Sequence, residues 1–343
     1  MKTVILTLLA LGLLTVSGAA AVVGFGLYNV SARSGHLPGV SWALHTTYRN
    51  SVRLRAPSAQ EVPDTLTDPD LIELGARHYE TACAFCHAAP GQRQPATAGA
   101  MVPRPPHVTD AVSDWQPRHL FWIIREGVKM SGMPHWPAAD RDDEIWSVVA
   151  YLDAVRREDP ALPAISPQIK APAAYCASCH GDDGRSANRF VPRLDILSPD
   201  YFRASMKAYR NGGRESGIMS QAAAMVDEDD LADLADRSAA GTASGLKAAA
   251  RGAPESKGAE LARSGTRDVP ACTACHGPGA TETSALMPAL AGQKQAYIET
   301  QLRLWRGGER KGTERSNLMT KAAMNLGDAD IKAVAEWYAA LRP

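Results

Sequence analysis

The chain has 343 residues, 45% hydrophobic and 22% charged, which supplies apolar material for two or three small globular domains and is too apolar for a disordered chain. Lysine plus arginine and aspartate plus glutamate each number 37, so the formal net charge is zero and no basic excess exists to hold a phosphate backbone, which argues against nucleic acid as a partner. Aromatic residues are only 6%, while 28 glycines and 23 prolines punctuate the chain; this composition reads as many short helices and long connections around cores that need a filler other than side chains.

In chain order, the first element is apolar. No residue from Thr3 to Ala32 is charged, and Val4–Tyr28 is a 25-residue run, longer than the about 20 residues a membrane-spanning helix needs. Residues 1–32 read as a transmembrane anchor. The alternative is a cleaved export signal with Ala19-Ala20-Ala21 at the small-residue site, but apolar residues continue past it to Val22, Val23, Phe25 and Leu27, with Tyr28 at an interfacial position. Either reading exports the rest of the chain. Arg33, Arg49, Arg53 and Arg55 outnumber the single Lys2 on the proposed inner side, against the usual charge bias of cytoplasmic flanks. Residues 33–66 read as a spacer with little periodicity.

Six cysteines follow, as Cys83/Cys86, Cys176/Cys179 and Cys272/Cys275, each pair separated by two residues and each followed at once by a histidine, His87, His180 and His276. The first cysteines lie 93 and 96 residues apart, so the chain is paced by a repeat of under a hundred residues. The expected units are 67–158, 159–240 and 257–343, with a linker at 241–256; the breaks at 157–173 (proline-rich) and 239–256 (Gly, Ala and Ser) mark them off. In the first unit a helix opening at Asp70 carries Tyr79 toward the motif, His119–Arg125 forms a second, and Asp142-Asp143-Glu144 start a closing helix with Ile145, Val148, Val149 and Leu152 on one face. The closing helices of the other units are expected from Asp227 to Ala240 and from Asp328, with Ile331, Val334, Ala335 and Tyr338 inward. No convincing strand alternation occurs, and the fold class expected is all-α.

Two thiols spaced by two residues sit on adjacent corners of a helical turn and can form thioethers to the two vinyl groups of one haem, which brings the following histidine beneath the iron. Three such motifs use every cysteine and predict three covalently attached haem c groups. A zinc site would pair two of the groups and strand the third, and a thioredoxin-like pair would need a βαβ setting. Methionine sulfur as sixth ligand closes the coordination sphere and marks electron transfer. In GVKMSGMPHW, Met133 in its Gly-Met-Pro context is favoured over Met130. In the second unit Met219 competes with Met225, and in the third Met319 with Met324; Met219 and Met319 share a register, each seven residues before the apolar residue that leads into the closing helix, Val226 and Leu326. The expected axial sets are His87/Met133, His180/Met219 and His276/Met319. The remaining histidines, His36, His45, His78, His107, His119 and His135, read as surface residues or neighbours of a haem, with a bis-histidine site the lesser alternative.

These residues resemble class I c-type cytochromes. CASCHGDDGR (176–185) with AYRNGGRESGIMSQAA (208–223), and CTACHGPG (272–279) with MPALAGQKQAYIETQLRLWRGGER (287–310) and NLMTKAA (317–323), are similar to the periplasmic two-haem cytochromes of the c-four type. That resemblance implies that Pro192 and Pro288 lie near the motif histidines and that Met219 and Met319 are ligands. The first unit, with Arg104-Pro105-Pro106, LFWIIREGVKMSGMPHW (120–136) and DDEIWSVVAYL (142–152), is similar to membrane-anchored one-haem cytochromes. The implied architecture is three tandem class I domains behind a single-pass anchor in a bacterial inner membrane, with the haems in the periplasm, where covalent attachment to such motifs occurs. The implied function is electron transfer between a quinol-oxidising complex or dehydrogenase and a terminal oxidase or reductase, through redox partner proteins of a respiratory chain, without enzymatic activity or a small-molecule substrate. Alternatives are a permanent cytochrome subunit of a dehydrogenase or oxidase complex, and a haem peroxidase or reductase; the latter needs one open iron position, against which the three methionines argue. The second unit departs from the family in having little helix before Cys176 and in carrying Arg237 and Ser238 where the third has Trp337 and Tyr338, so it is expected to fold only against a neighbour, the third unit first.

Overall fold

The computed structural model describes residues 1–129, 131–165, 172–239, 255–277, 286–311 and 316–341; Met130 and most of the 241–256 linker lie outside them. Among the described residues every regular element is helical. Helix α1 (Lys2–Gly24) is long and apolar enough to cross a membrane, and none of it is buried against the rest of the chain. Helix α2 (Val40–Arg55) corrects the expectation of an irregular spacer. Its inward face is short but specific: Val52 is fully buried, Tyr48 meets Trp115 edge-on at 5.8 Å, and Arg49 lies 5.2 Å over the Trp115 ring while pairing with Asp114 at 2.7 Å. The packing partners are more than sixty residues away, so local periodicity carries little trace of this helix.

The first core gathers α3 (Pro69–Ala82), α4 (Ala84–His87), α5 (Ala96–Gly99), α6 (Val108–Ser113), α7 (Pro117–Glu126) and α8 (Asp142–Arg156). Asp68 caps α3 by accepting from the Asp70 N–H at 3.0 Å, with Pro69 in the first turn where its missing N–H costs nothing. Helices α3 and α8 cross at Gly75, where a Cβ would stand 1.9 Å from the carbonyl oxygen of Ser147. Only a residue without a side chain permits that approach.

The second unit is built from α9 (Pro172–His180), α10 (Pro199–Arg210), α11 (Gly217–Ala224) and α12 (Glu228–Ala239), which enclose a thin core of Phe202, Met206, Tyr209, Ala223, Val226, Leu231 and Ala235. The third gathers α13 (Lys257–Ser264), α14 (Thr273–His276), α15 (Gln295–Gly307), α16 (Ser316–Ala323) and α17 (Asp328–Ala340) and repeats the arrangement of the first. There Gly258 takes the part of Gly75, a Cβ on it falling 2.0 Å from the Ala333 carbonyl oxygen.

The second unit has no equivalent of that glycine crossing among the described residues, because α9 begins just before the motif. Both neighbours supply what is missing. From the first unit, the Asp70 carbonyl accepts from Asn188 Nδ2 at 2.6 Å, Arg189 pairs with Asp68, and Trp136 packs on Gly217, where a Cβ would lie 2.5 Å from the indole. From the third, the buried Gln293 side chain accepts from the Arg193 N–H at 2.8 Å and donates to the Arg193 carbonyl at 3.1 Å. The second unit is thus wedged between both others rather than resting on the third alone.

Candidate haem-binding site

The three motifs sit on short helical turns: Cys83, Cys86 and His87 at α4, Cys176, Cys179 and His180 at the end of α9, and Cys272, Cys275 and His276 at α14. All six thiols are half-buried and none is joined to another in a disulfide. Each histidine is held the same way. His87 Nδ1 bonds to the Pro106 carbonyl at 2.8 Å, His180 Nδ1 to Pro192 at 3.0 Å, and His276 Nδ1 to Pro288 at 2.9 Å. A carbonyl only accepts, so Nδ1 carries the proton and Nε2 keeps its lone pair. Burial lowers the pKa of all three rings below the usual histidine value, which keeps them neutral.

The second and third motifs open into one continuous cavity of about 1450 Å³. Its walls include Cys176, Cys179, His180 and Met219 from the second unit and Cys272, Cys275, His276 and Met319 from the third. His276 Nε2 faces Met319 Sδ at 3.4 Å; among the described residues no such contact joins His180 to Met219 or His87 to Met133. Met219 and Met319 stand on the short helices α11 and α16, while their competitors Met225 and Met324 are 51% and 57% exposed.

Cys83, Cys86, His87 and Met133 are not among the described residues that wall this cavity. Cys83 and Met133 pack against the first core, as Cys176 and Met219 do against the second and Cys272 and Met319 against the third, and the Met133 N–H donates to Ser131 Oγ at 3.2 Å. The Cys86 carbonyl accepts from Gln94 Nε2 at 2.9 Å, a side chain that also donates to the Pro105 carbonyl at 2.8 Å and so ties the motif turn to the loop that holds His87. Beside the thiols, Tyr79, a neighbour of both Cys83 and Cys86, is buried, meets Tyr151 at 5.0 Å and donates to the Ala88 carbonyl at 2.6 Å. In the third unit the fully buried Tyr338 of α17 stands in the same way beside Cys272 and Cys275.

The shared cavity holds two buried or half-buried cations that sequence reasoning missed. Arg214 bonds to Tyr297 Oη at 3.3 Å and stacks 4.5 Å over Tyr209; Arg310 bonds to Gln301 at 2.5 Å and to Tyr201 Oη at 3.3 Å, and its buried Nε has no partner. Among the described residues no carboxylate pairs with either. Buried cations demand an anion, and a haem supplies two propionates. The arginines would neutralise those groups, the cysteines would bond the vinyls, and the apolar walls would exclude water, so the residues fit the cofactor. Their signal in the sequence is the shared Gly-Gly ahead of each, RNGGR (210–214) and RGGER (306–310).

His78 and His119, expected near the surface or a haem, are buried; His78 meets Trp136 at 4.8 Å and lines the cavity of the second motif rather than the first, and burial lowers its pKa to about 4. The second motif is also covered on its outer side, where Glu73, Leu74 and Arg77 of α3 face Ala177, Ser178 and Cys179. By contrast Phe85, between the cysteines of the first motif, is 59% exposed. Among the described residues no three His, Cys, Asp or Glu side chains converge as a metal site.

An all-helical fold with these motif turns defines a class I c-type cytochrome, a protein that binds haem covalently and transfers electrons. The chain belongs to the c-type cytochromes: residues 70–152 match the family model of cytochrome c oxidase, cbb3-type, subunit III, and residues 256–341 match cytochrome c. It is 36% identical over 212 residues to the thiosulfate dehydrogenase electron acceptor of Stutzerimonas stutzeri, covering 60% of this chain and 94% of that one. It is 36% identical to the protein of the same name from Thiomonas intermedia, covering 56% of this chain and 88% of that one. With cytochrome c4 of Pseudomonas aeruginosa it shares 32% identity over 50% of this chain and 86% of the other. Two of these relatives are electron acceptors by name and the third is a cytochrome, and this chain too is an electron-transfer protein rather than an enzyme.

Proposed function

We propose that the chain is a membrane-anchored carrier of three haem c groups on the periplasmic face, one in each of the units 67–158, 159–240 and 257–343. The observation that carries this reading is the threefold repetition of the histidine Nδ1 to proline carbonyl bond at 2.8, 3.0 and 2.9 Å, once per CxxCH turn. Cys83 with Cys86, Cys176 with Cys179 and Cys272 with Cys275 each attach one haem. His87, His180 and His276 would offer Nε2 to the iron, and Met133, Met219 and Met319 would offer sulfur. The haem supplies a one-electron couple when bound. The proline carbonyls fix the imidazole tautomer and orientation, the methionines would complete the iron's ligand set, and Arg214 and Arg310 would hold negative charge inside the cavity. Helix α1 is the anchor.

The names of the relatives point to a dehydrogenase as the electron donor, a thiosulfate dehydrogenase first, with the electrons passed on to a terminal oxidase or reductase. Intact mass of the holoprotein and a pyridine haemochromogen assay should give three haems per chain; two or fewer would overturn the three-unit reading. Reduction of the purified protein by a thiosulfate dehydrogenase with thiosulfate, and not by thiosulfate alone, tests the donor. The match of residues 70–152 to an oxidase subunit favours a second reading, a permanent subunit of an oxidase complex, which would show as stoichiometric co-purification from gently solubilised membranes.

A further inference from the structure

The carboxylate of Glu144, in the first turn of α8, is buried yet makes most of its bonds outside its own unit. Its Oε1 accepts from Ser216 Oγ at 2.5 Å, and its Oε2 accepts from the N–H groups of Gly217 at 2.6 Å and Ile218 at 3.3 Å. Arg141 Nη1 pairs with the same carboxylate at 2.8 Å and also donates to the Glu215 carbonyl at 3.0 Å. Ser216 is the N-cap of α11, and its Oγ accepts in turn from the Met219 N–H at 3.0 Å. Two hydrogen bonds therefore connect a carboxylate of the first unit to the backbone of Met219. Helix α11 has only eight residues, too few to hold itself in water. Its first turn is satisfied by Ser216 and by Glu144, and Trp136 closes on Gly217 from the same side.

We propose that Glu144 is a positioning residue for the sulfur ligand of the second haem, so that the first unit fixes the ligand geometry and the potential of its neighbour. The proposal rests on the assignment of Met219 as that ligand. Around Glu144 only the Ser216 hydroxyl can also accept, so Glu144→Gln, which keeps the shape, either reverses the Ser216 bond and sets its amide NH2 against Arg141, or sets it against the Gly217 and Ile218 N–H groups. Ser216→Ala removes only the link to Met219 and serves where the glutamine variant fails to accumulate.

The experiment is a potentiometric titration of the full-length holoprotein, with the methionine sulfur to iron charge-transfer band in the far red followed in parallel, for the native chain, E144Q, S216A and M219A. Methionine ligation raises the potential, so a loosened ligand lowers it. The expected result for E144Q is a fall of one haem's reduction equilibrium by tenfold or more, about 59 mV for one electron, with a weakened band. S216A shifts the same haem in the same direction by less, and the double variant is non-additive because one relay is cut twice. An unchanged potential overturns the proposal, as does a raised one with the band intact, which is what removing a negative charge alone would give. M219A separates the two levels: loss of one haem's band in M219A with no effect of E144Q or S216A sinks only the role of Glu144, whereas no spectral change in M219A sinks the ligand assignment and the proposal with it.

Discussion

The crossing of α3 and α8 at Gly75 allows a quantitative test of how the first unit closes. In Gly75→Ala the new Cβ meets the Ser147 carbonyl oxygen at 1.9 Å, its carbon at 2.5 Å and the Val148 nitrogen at 3.0 Å, all backbone atoms that no rotamer change can move. Restoring contact of about 3.4 Å parts the helices by about 1.5 Å over a seam that includes the fully buried Ile145, Val148 and Val149. Overpacking of this kind costs up to about 3 kcal/mol, and the helix propensity of alanine over glycine returns about 1 kcal/mol. The net loss is about 2 kcal/mol, which in a unit of this size lowers the melting temperature by about 8–16 °C. Scanning calorimetry of the holoprotein should show the transition that includes the first unit displaced downward by that amount. Gly99→Ala is the control: it is also helical, but nothing lies within 4 Å of its Cβ, and its effect should stay within about 0.5 kcal/mol. A Gly75→Ala protein that melts at or above the native temperature would refute the close crossing.

Other outcomes follow from single contacts. Gly258→Ala should destabilise the third unit as Gly75→Ala does the first, since its Cβ would fall 2.0 Å from the Ala333 carbonyl. Gln293→Ala strands the N–H and carbonyl of Arg193, at about 1–3 kcal/mol each, and should let the second and third units unfold in separate steps by limited proteolysis; retained single-step behaviour would count against the interface. His78 is held neutral by burial with a pKa lowered to about 4, below its unfolded value near 6.5. Protons then bind the unfolded chain first, so its destabilising effect is nil above pH ~6.5 and grows as pH falls toward ~4, by up to ~3 kcal/mol. A His78→Phe variant should lose less stability than the native chain between pH ~7 and ~4.5 in urea titrations, and equal losses would rule the histidine out. Met319→Ala should give a reduced protein that binds carbon monoxide at one haem, and failure to do so would exclude Met319 as a ligand.

The motif chemistry is local, and this is why it was legible in the chain alone. A CxxCH turn needs five consecutive residues, and the pacing of 93 and 96 residues between motifs announces the repetition without any tertiary information. The closing helices at Asp142 and Asp328 were equally plain, because acidic first turns and 3.6-residue apolar spacing are properties of one segment. What depended on distant partners was hidden. Helix α2 is defined by Trp115 and Asp114, and His78 and His119 took their places from folded neighbours rather than from their flanking residues. The identical spacing of the three cysteine pairs gave no hint that the second and third would share one cavity. Nothing in the second unit's own segment says that Glu144, seventy residues upstream, caps the helix bearing Met219, or that Arg214 and Arg310 meet in one cavity. Residue types and their short-range order determined the cofactor class and the helical fold. Only packing decided which unit supports which, because a buried carboxylate or arginine finds its partners by proximity in space, to which sequence separation is no guide.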